Sequence, residues 1–165
     1  MEYILNKKNI PILRYEENKG YIEVLQVYNK EHLPVALFLN GKPSADNLYA
    51  LNEKMKQFLD NRLIPSTRPH FKEVLEELEI PSNYELAKKS WFLSLSDQYW
   101  ICPVELKDKL FWEDINFFTN DYDPAIGLRL TTNSKSLNRN SSSYSPDNAT
   151  NGELSKRWFK KDGIN

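Results

Sequence analysis

The last part of the 165-residue chain carries the residues whose types and spacing best suit chemistry. The stretch SPDNATNGELSKRW joins hydroxyl and amide side chains to a glycine, and a lysine follows that glycine by four positions. A bound phosphate needs converging backbone N–H groups, which Thr150, Asn151 and Gly152 could supply. Lys156 would add a cation. One glycine in a Ser- and Asn-rich stretch is also typical of a linker, so the spacing leaves both interpretations open.

A second candidate for chemistry is the segment SLSDQYW, which places Ser94, Ser96 and Asp97 beside aromatic residues. A nucleophilic serine would need a nearby base, and no histidine is close to it in the sequence. The pattern therefore favours a local turn, in which Ser96 or Asp97 bonds to neighbouring backbone. Tyr99 and Trp100 are then expected to enter the core.

The remaining reactive residues predict neither a catalytic set nor a metal site. Cys102 is the only cysteine, which excludes an internal disulfide and a cysteine-based zinc site. His32 and His70 are the only histidines and are expected to be structural or surface residues. Glu113 and Asp114 are adjacent, so on a helix they would point about 100° apart rather than face each other. We expect them to be solvated.

The composition bounds the class of protein. Hydrophobic residues make up 40% and charged residues 27% of the chain, which is typical of a globular domain. The net charge of −1 gives no overall field that would recruit nucleic acid or an anionic membrane. No secretory signal and no apolar run of membrane-spanning length is visible, so the sequence predicts a cytoplasmic protein without a membrane partner.

The elements that must position these residues begin with β structure over residues 1–28. Ile10 and Ile12 alternate with Pro11, Leu13 and Tyr15, which predicts a strand with two distinct faces. A polar turn at 16–20 ends in glycine, and a second alternating run follows it, so the pattern predicts a hairpin. Residues 33–43 predict a buried strand or a connecting segment that ends at the turn Asn40-Gly41.

Helical spacing then replaces the alternation. The first predicted helix has Ser44 or Asp46 as its N-cap, and prolines follow it. Its apolar stripe consists of Leu48, Leu51, Met55, Phe58 and Leu59. A second stripe, formed by Phe71, Val74, Leu75 and Leu78, stops at Pro81. The capping-box pattern Ser82-x-x-Glu85 opens a third helix that runs to about Ser90. Trp112, Ile115 and Phe118 predict a fourth, finished by Asn120 and Asp121.

Composition changes sharply near residue 130, because 14 of the 21 residues in 131–151 are Ser, Thr or Asn. Such a stretch has too little apolar area to offset an ordering cost of about 1–2 kcal/mol per residue, so we expect it to be mobile. The predicted organisation is an α+β domain over 1–130, with a small N-terminal antiparallel sheet or hairpin and a cluster of short helices. A flexible loop covers 131–151.

Three segments in order resemble the N-terminal region of HipA-like serine/threonine toxin kinases of the Firmicutes type. They are SLSDQYWI (94–101), WEDINFFTNDYDPAIG (112–127) and SPDNATNGELSKRW (145–158). The resemblance implies that residues 152–165 begin an incomplete kinase N-lobe, and that 150–156 is an ATP-phosphate loop in which Gly152 and Lys156 match the family pattern. Ser145, Thr150 and Ser155 would be candidate phosphorylation sites.

The function implied by the resemblance is a non-catalytic one. A kinase needs a lysine on the strand after the loop, a catalytic aspartate and a metal-binding aspartate, none of which occurs after residue 152 in the expected arrangement. The chain is therefore expected to be a truncated or separately encoded N-terminal portion that regulates or complements a kinase. It requires no cofactor of its own, and ATP would bind only with a complementing catalytic lobe.

The expected partner is a kinase core or an antitoxin-type protein. The alternative from the residues alone is a free-standing interaction module of mobile-element origin that does not bind nucleotide. Direct nucleic-acid binding is disfavoured by the neutral charge balance, although Lys156, Arg157, Lys160 and Lys161 form a local basic cluster with interleaved aromatics.

Overall fold

The computed structural model describes residues 1–43, 47–68, 71–116 and 118–119, together with two short strands at 144–146 and 158–160. The chain divides into two compact units. The first, which we call the sheet unit, consists of Met1–Asn61 and Gln98–Trp112. The second begins with Arg62–Asp97 and continues from Glu113. We call Arg62–Asp97 the helical insert, because in sequence it interrupts the sheet unit.

Five strands precede three helices, and one strand, a fourth helix and two further strands follow, so strands and helices are largely segregated along the chain. This confirms the predicted α+β class. The strands are β1 (Glu2–Lys7), β2 (Ile10–Asn18), β3 (Tyr21–Val27), β4 (Phe38–Leu39), β5 (Lys42–Pro43), β6 (Tyr99–Pro103), β7 (Tyr144–Pro146) and β8 (Trp158–Lys160). The helices are α1 (Leu48–Asp60), α2 (Phe71–Glu77), α3 (Asn83–Lys89) and α4 (Trp112–Ile115). Within the described ranges, no helix has the length and apolarity that crossing a bilayer requires.

One four-stranded antiparallel sheet dominates the sheet unit, with the strand order β3-β2-β1-β6. The first three strands are consecutive in sequence, as the N-terminal pattern predicts. Strand β6 arrives about 70 residues later and pairs with β1, so that Leu5 lies opposite Ile101. The sequence analysis did not predict β6 as a strand, because its run of aromatic and apolar residues does not alternate with polar ones.

Two-residue turns set the register of the hairpins. Lys19 and Gly20 connect β2 to β3 with φ angles of 50° and 80°. Asn40 and Gly41 connect β4 to β5 with φ angles of 51° and 75°, at the predicted turn. Successive left-handed residues match the twist of antiparallel strands, and glycine adopts that conformation without strain. The predicted polar turn over 16–20 is too long, since β2 continues to Asn18.

A β-bulge interrupts the pairing of β1 with β2. Leu5 lies opposite Leu13 and Asn6 opposite Pro11, so Ile12 is an extra residue on β2. Ile12 and Leu13 are consecutive and both fully buried. A bulge bends its strand and locally breaks the alternation of side chains, which allows both to enter the core. The predicted strict alternation of β2 is therefore wrong at this point.

Both faces of the central strands are buried. Residues opposite each other in register share a face, and one face carries the buried side chains of Tyr3, Leu5, Leu13, Tyr15, Val24 and Ile101. Helix α1 contacts β3, and its Phe58 ring meets the Tyr99 ring edge-on at 6.2 Å. The other face carries the buried Ile4, Trp100 and Cys102, and the turn Val104–Leu106 contacts β1.

Helix α1 begins at an asparagine cap. The Asn47 side-chain oxygen accepts a hydrogen bond from the Ala50 N–H at 3.1 Å. The prediction of Ser44 or Asp46 as the N-cap is therefore wrong, and both of those residues lie outside the described ranges. The predicted stripe is buried at Leu51, Met55, Phe58 and Leu59, whereas Leu48 is exposed.

The helical insert has an apolar cluster of its own. Helices α2 and α3 have seven residues each, which is too short to be stable without tertiary contacts. They share the buried residues Ile64, Phe71, Val74, Ile80 and Leu86, with Leu75 and Leu78 packed at the border. The Ser82 hydroxyl accepts a hydrogen bond from the Glu85 N–H at 3.2 Å, which confirms the predicted start of α3.

Both helices of the insert end in left-handed residues where glycine is usual. Glu79 follows α2 with a φ angle of 53°, and the Ile80 N–H bonds back to the Leu75 carbonyl at 2.9 Å. Trp91 and Phe92 follow α3 with φ angles of 56° and 51°. This is the Schellman geometry, in which the residue after the helix reverses the chain. Because side chains disfavour that conformation, each of these positions is strained.

Helix α4 is shorter than its apolar spacing predicts. It ends at Ile115, and the side-chain oxygen of Asn116 accepts the Phe118 N–H at 2.9 Å. Asn116 thus starts a new turn, and Phe118 is exposed rather than part of the helical stripe. The predicted extension past Phe118 is wrong, and the predicted end at Asn120 and Asp121 lies outside the described residues.

Candidate functional site

The first of the three family-like segments forms the junction between α3 and β6. The hydroxyl groups of Ser94 and Ser96 lie 2.6 Å apart, and the Ser94 hydroxyl accepts the Ser96 N–H at 3.0 Å. The predicted turn is confirmed, but Ser94 rather than Ser96 accepts the backbone bond. Ser94 is almost fully buried. Its contacts are those of a turn-forming residue.

Asp97 bonds to a residue that the sequence analysis did not single out. Its carboxylate accepts two hydrogen bonds from the Arg62 guanidinium, from Nη1 at 2.7 Å and from Nη2 at 3.0 Å. Arg62 Nε donates to the Phe92 carbonyl at 2.6 Å. The Arg62 side chain is 5% exposed and that of Asp97 is 30% exposed. All three nitrogens of the guanidinium therefore donate hydrogen bonds. Two of them form a bidentate ion pair with Asp97, a geometry that is among the strongest for ion pairs.

The next residues of the segment tie β6 to the N-terminal strands. The Trp100 indole N–H donates to the Lys8 carbonyl at 2.7 Å, and the Lys8 N–H donates to the Gln98 carbonyl at 2.9 Å. The Tyr99 hydroxyl donates to the His32 carbonyl at 3.2 Å. Trp100 is buried, as predicted, and Tyr99 is half-buried. These aromatic residues anchor the sheet and leave no stacking face of Trp100 for a ligand.

Cys102 is chemically quiet. It is buried in β6, and burial raises the pKa of its thiol to about 12, with smaller contributions from the nearby Asp108 and Glu105 carboxylates. The thiolate is the reactive form of cysteine, so this residue is an inert thiol at neutral pH.

The second family-like segment supplies buried aromatic and apolar residues. The Trp112 N–H donates to the Asn9 side-chain oxygen at 2.8 Å, and Trp112 and Ile115 are both buried. Glu113 is exposed, as predicted, while Asp114 is half-buried. The described part of this segment therefore contributes buried side chains to the fold.

The predicted phosphate loop cannot be placed. Thr150, Asn151, Gly152, Ser155 and Lys156 all lie outside the described residues. Ser145 is in β7, opposite Phe159 of β8. The predicted domain division at 130/131 and the mobility of 131–151 likewise fall largely outside those ranges and stay predictions.

Large apolar side chains are exposed mainly on the sheet unit. Among the described residues, ten of the eleven exposed ones belong to this unit: Met1, Ile10, Tyr21, Leu25, Tyr28, Val35, Leu39, Leu48, Tyr49 and Phe111. The helical insert contributes none of the eleven, and Phe118 is the remaining one. The most exposed are Val35 at 78% and Tyr49 at 76%. Exposed aromatic and aliphatic groups are costly in water and typical of binding surfaces when they gather on one part of a protein.

Three of these residues belong to α1 or β3, which are in contact. The Asn52 side-chain oxygen accepts the Val24 N–H at 2.8 Å, which satisfies one backbone group of the edge strand. Leu48 and Tyr49 precede Asn52 by four and three positions, so they lie on neighbouring parts of the helix surface. Leu25 follows Val24 and is also exposed. We call Leu25, Leu48 and Tyr49 the seam residues.

A row of carboxylates crosses three strands of the sheet. Glu2, Glu16 and Glu23 lie directly opposite one another on β1, β2 and β3. Arg14 forms an ion pair with Glu2, with Nε donating at 2.6 Å, and this bond raises the pKa of Arg14. The N-terminal amino group lies 3.8 Å from Glu16. Like charges that face each other across strands are unfavourable, so these cations relieve the repulsion.

No group of three His, Cys, Asp or Glu side chains within the described ranges has the geometry of a metal site. Comparisons with the profiles of known protein families, with curated proteins and with solved structures gave no match.

Proposed function

We propose that this chain is the non-catalytic N-terminal portion of a HipA-like kinase and acts by binding a kinase core, which it regulates or complements. The proposal rests on the ordered resemblance of its three segments to that family. It is supported by the concentration of exposed large apolar side chains on the sheet unit. This concentration is the observation that favours binding to another protein.

The local structure of the first two segments is compatible with this role. Trp100 and Trp112 serve packing, since both are buried and hydrogen-bonded to backbone or side-chain groups of the sheet unit. A domain that works by association must present a stable surface, and these anchors stabilise the sheet unit, to which the seam residues belong. The nucleotide would then be held by the kinase core together with the 150–156 loop.

The test begins with the DNA beyond the last codon. We expect it to encode, in frame or in the adjacent gene, a kinase core with a lysine and paired aspartates. The purified chain and that core should elute together in size-exclusion chromatography with light scattering, at the mass of a complex. Phosphoryl transfer from radiolabelled ATP should change when the chain is added to the core.

Two results would contradict the proposal. One is a neighbourhood without any kinase core. The other is a core that elutes separately at about 50 µM of each protein and phosphorylates at the same rate with and without the chain, since specific complexes are usually tighter than this. The second candidate, an interaction module unrelated to kinases, shares the exposed apolar surface and would then remain.

A further inference from the structure

The ion pair of the helical insert joins the first residue of that segment to its last. The first part of the sheet unit ends at Asn61, whose N–H donates to the Gln57 carbonyl at the end of α1, and the insert begins with the next residue, Arg62. The insert ends at Asp97, and Gln98 already pairs with Lys8 of the sheet unit. The chain therefore leaves and re-enters the sheet unit at two positions that a bidentate ion pair holds together.

Many contacts in the interior of the insert join its own residues. Among the described residues, its apolar cluster consists of residues from 64 to 86. The Asn83 side-chain amide donates to the Ile64 carbonyl at 2.6 Å, and the Tyr84 and Phe92 rings pack edge to face at 5.3 Å. Arg62 also holds the Phe92 carbonyl, next to the strained Trp91. The cluster and the ion pair thus stabilise one continuous segment.

We propose that Arg62 and Asp97 form a clasp that controls the opening of the helical insert as one cooperative unit while the sheet stays folded. Short helices with strained caps and a small apolar cluster belong to the least stable part of a protein. The Arg62 side chain is buried, so loss of Asp97 would leave its charge without compensation, and the closed state depends on this contact. Opening of the insert would expose the Phe71 and Ile80 side chains, which the closed state buries.

The test is native-state hydrogen exchange of the full chain, read by mass spectrometry. Asp97→Asn keeps the shape of the side chain and removes its charge, and Arg62→Met removes the cation. In each variant, amides of 71–92 should exchange about 100-fold faster or more, while those of β1 and β2 keep their wild-type rates. The matched control is Arg14→Met, which breaks the exposed ion pair with Glu2 and should change exchange in the insert less than threefold.

The double variant separates a clasp from two independent contacts. If Arg62 and Asp97 act as a pair, the acceleration in Arg62→Met/Asp97→Asn should be well below the product of the two single effects. Wild-type rates in the insert of either single variant, or equal losses of protection in the insert and in β1, would overturn the proposal. Should the variants not fold, the wild-type chain in low concentrations of guanidinium chloride decides. The amides of the insert must then exchange through one shared opening transition, at a lower denaturant concentration than the amides of the sheet. A single transition shared by the insert and the sheet would refute the clasp.

Discussion

The sheet unit and the helical insert are stabilised in different ways. The sheet unit joins four strands by antiparallel pairing and buries both faces of β1. The insert has two seven-residue helices, a small apolar cluster and an ion pair in which the Arg62 side chain is buried. Stability is therefore spread over many contacts in the first and concentrated in a few in the second.

This difference has a parallel at the surface. The sheet unit exposes large apolar side chains, whereas none of those exposed in the described part of the chain belongs to the insert. The more robust region thus offers the surface for association, and the region that we expect to open first keeps its large apolar groups inside. The following changes test that contrast.

The same large-to-small substitution in each region should have the greatest effect. Leu5 is fully buried between Leu13 and Ile101, and Leu86 belongs to the cluster of the insert. Leu5→Ala and Leu86→Ala should each lower the free energy of unfolding by about 3 kcal/mol, from lost burial and a residual cavity. Denaturant titration followed by circular dichroism measures this.

The two variants should differ in hydrogen exchange. Leu86→Ala should speed the exchange of insert amides about 100-fold, because the insert opens more easily. Leu5→Ala should leave those rates unchanged, since opening of the insert does not break the packing of β1. Equal acceleration in both variants would show that the two regions unfold together.

Alkaline pH should reveal the buried thiol of the sheet unit. The folded-state pKa of Cys102 is raised to about 12, whereas an unfolded cysteine ionises near pH 9. Below pH 9 the thiol is neutral in both states and contributes no pH dependence. Above it the unfolded state loses its proton first, so stability should fall by about 1 kcal/mol per pH unit up to pH 12.

Cys102→Ala supplies the control for this prediction. Other groups titrate in the same range, so the relevant quantity is the difference between the wild-type and variant slopes of unfolding free energy against pH between 9 and 10.5. In parallel, the wild-type thiol should react with a disulfide reagent at neutral pH only after denaturation. Rapid reaction of the native chain would contradict the assigned burial.

A glycine at one strained helix end should change the free energy of unfolding least, and it should raise stability rather than lower it. Glu79 is exposed and has a φ angle of 53°, so Glu79→Gly removes strain without removing packing. We expect the free energy of unfolding to rise by about 0.5–1 kcal/mol. The matched control is Glu76→Gly, an exposed position inside α2, which should lose about 1 kcal/mol. The same sign in both variants would refute strain at Glu79.

Local patterns were sufficient to predict much of the fold. Apolar spacing located α1, α2 and α3, and the capping box found the start of α3 at Ser82, because these signals depend on residues within one or two helical turns. The Asn40-Gly41 turn followed from the same kind of local rule. The end of α4 was not predicted because the Asn116 side chain accepts backbone N–H groups that a longer helix would use for its own hydrogen bonds.

Features that depend on distant partners could not be predicted. Strand β6 gains its identity from pairing with β1, about 95 residues away in the chain, and the Ile12 bulge depends on packing against both faces of the sheet. Arg62 looked like an ordinary residue after a helix, and only the fold brings Asp97 to it across 35 positions. Asp97, which the sequence suggested as a turn residue, is therefore the more exposed member of an ion pair.

The most direct test of the central claim is a calorimetric titration of the kinase core with three forms of this chain. The wild-type protein should bind the core with one-to-one stoichiometry. Tyr49→Ser removes a seam residue whose ring is already exposed and should weaken binding tenfold or more, as expected when an interface aromatic is truncated. Lys72→Ser, at an exposed position of α2 in the insert, should bind as the wild type does. Equal affinity of Tyr49→Ser and the wild type, or no measurable binding by either, would contradict the account.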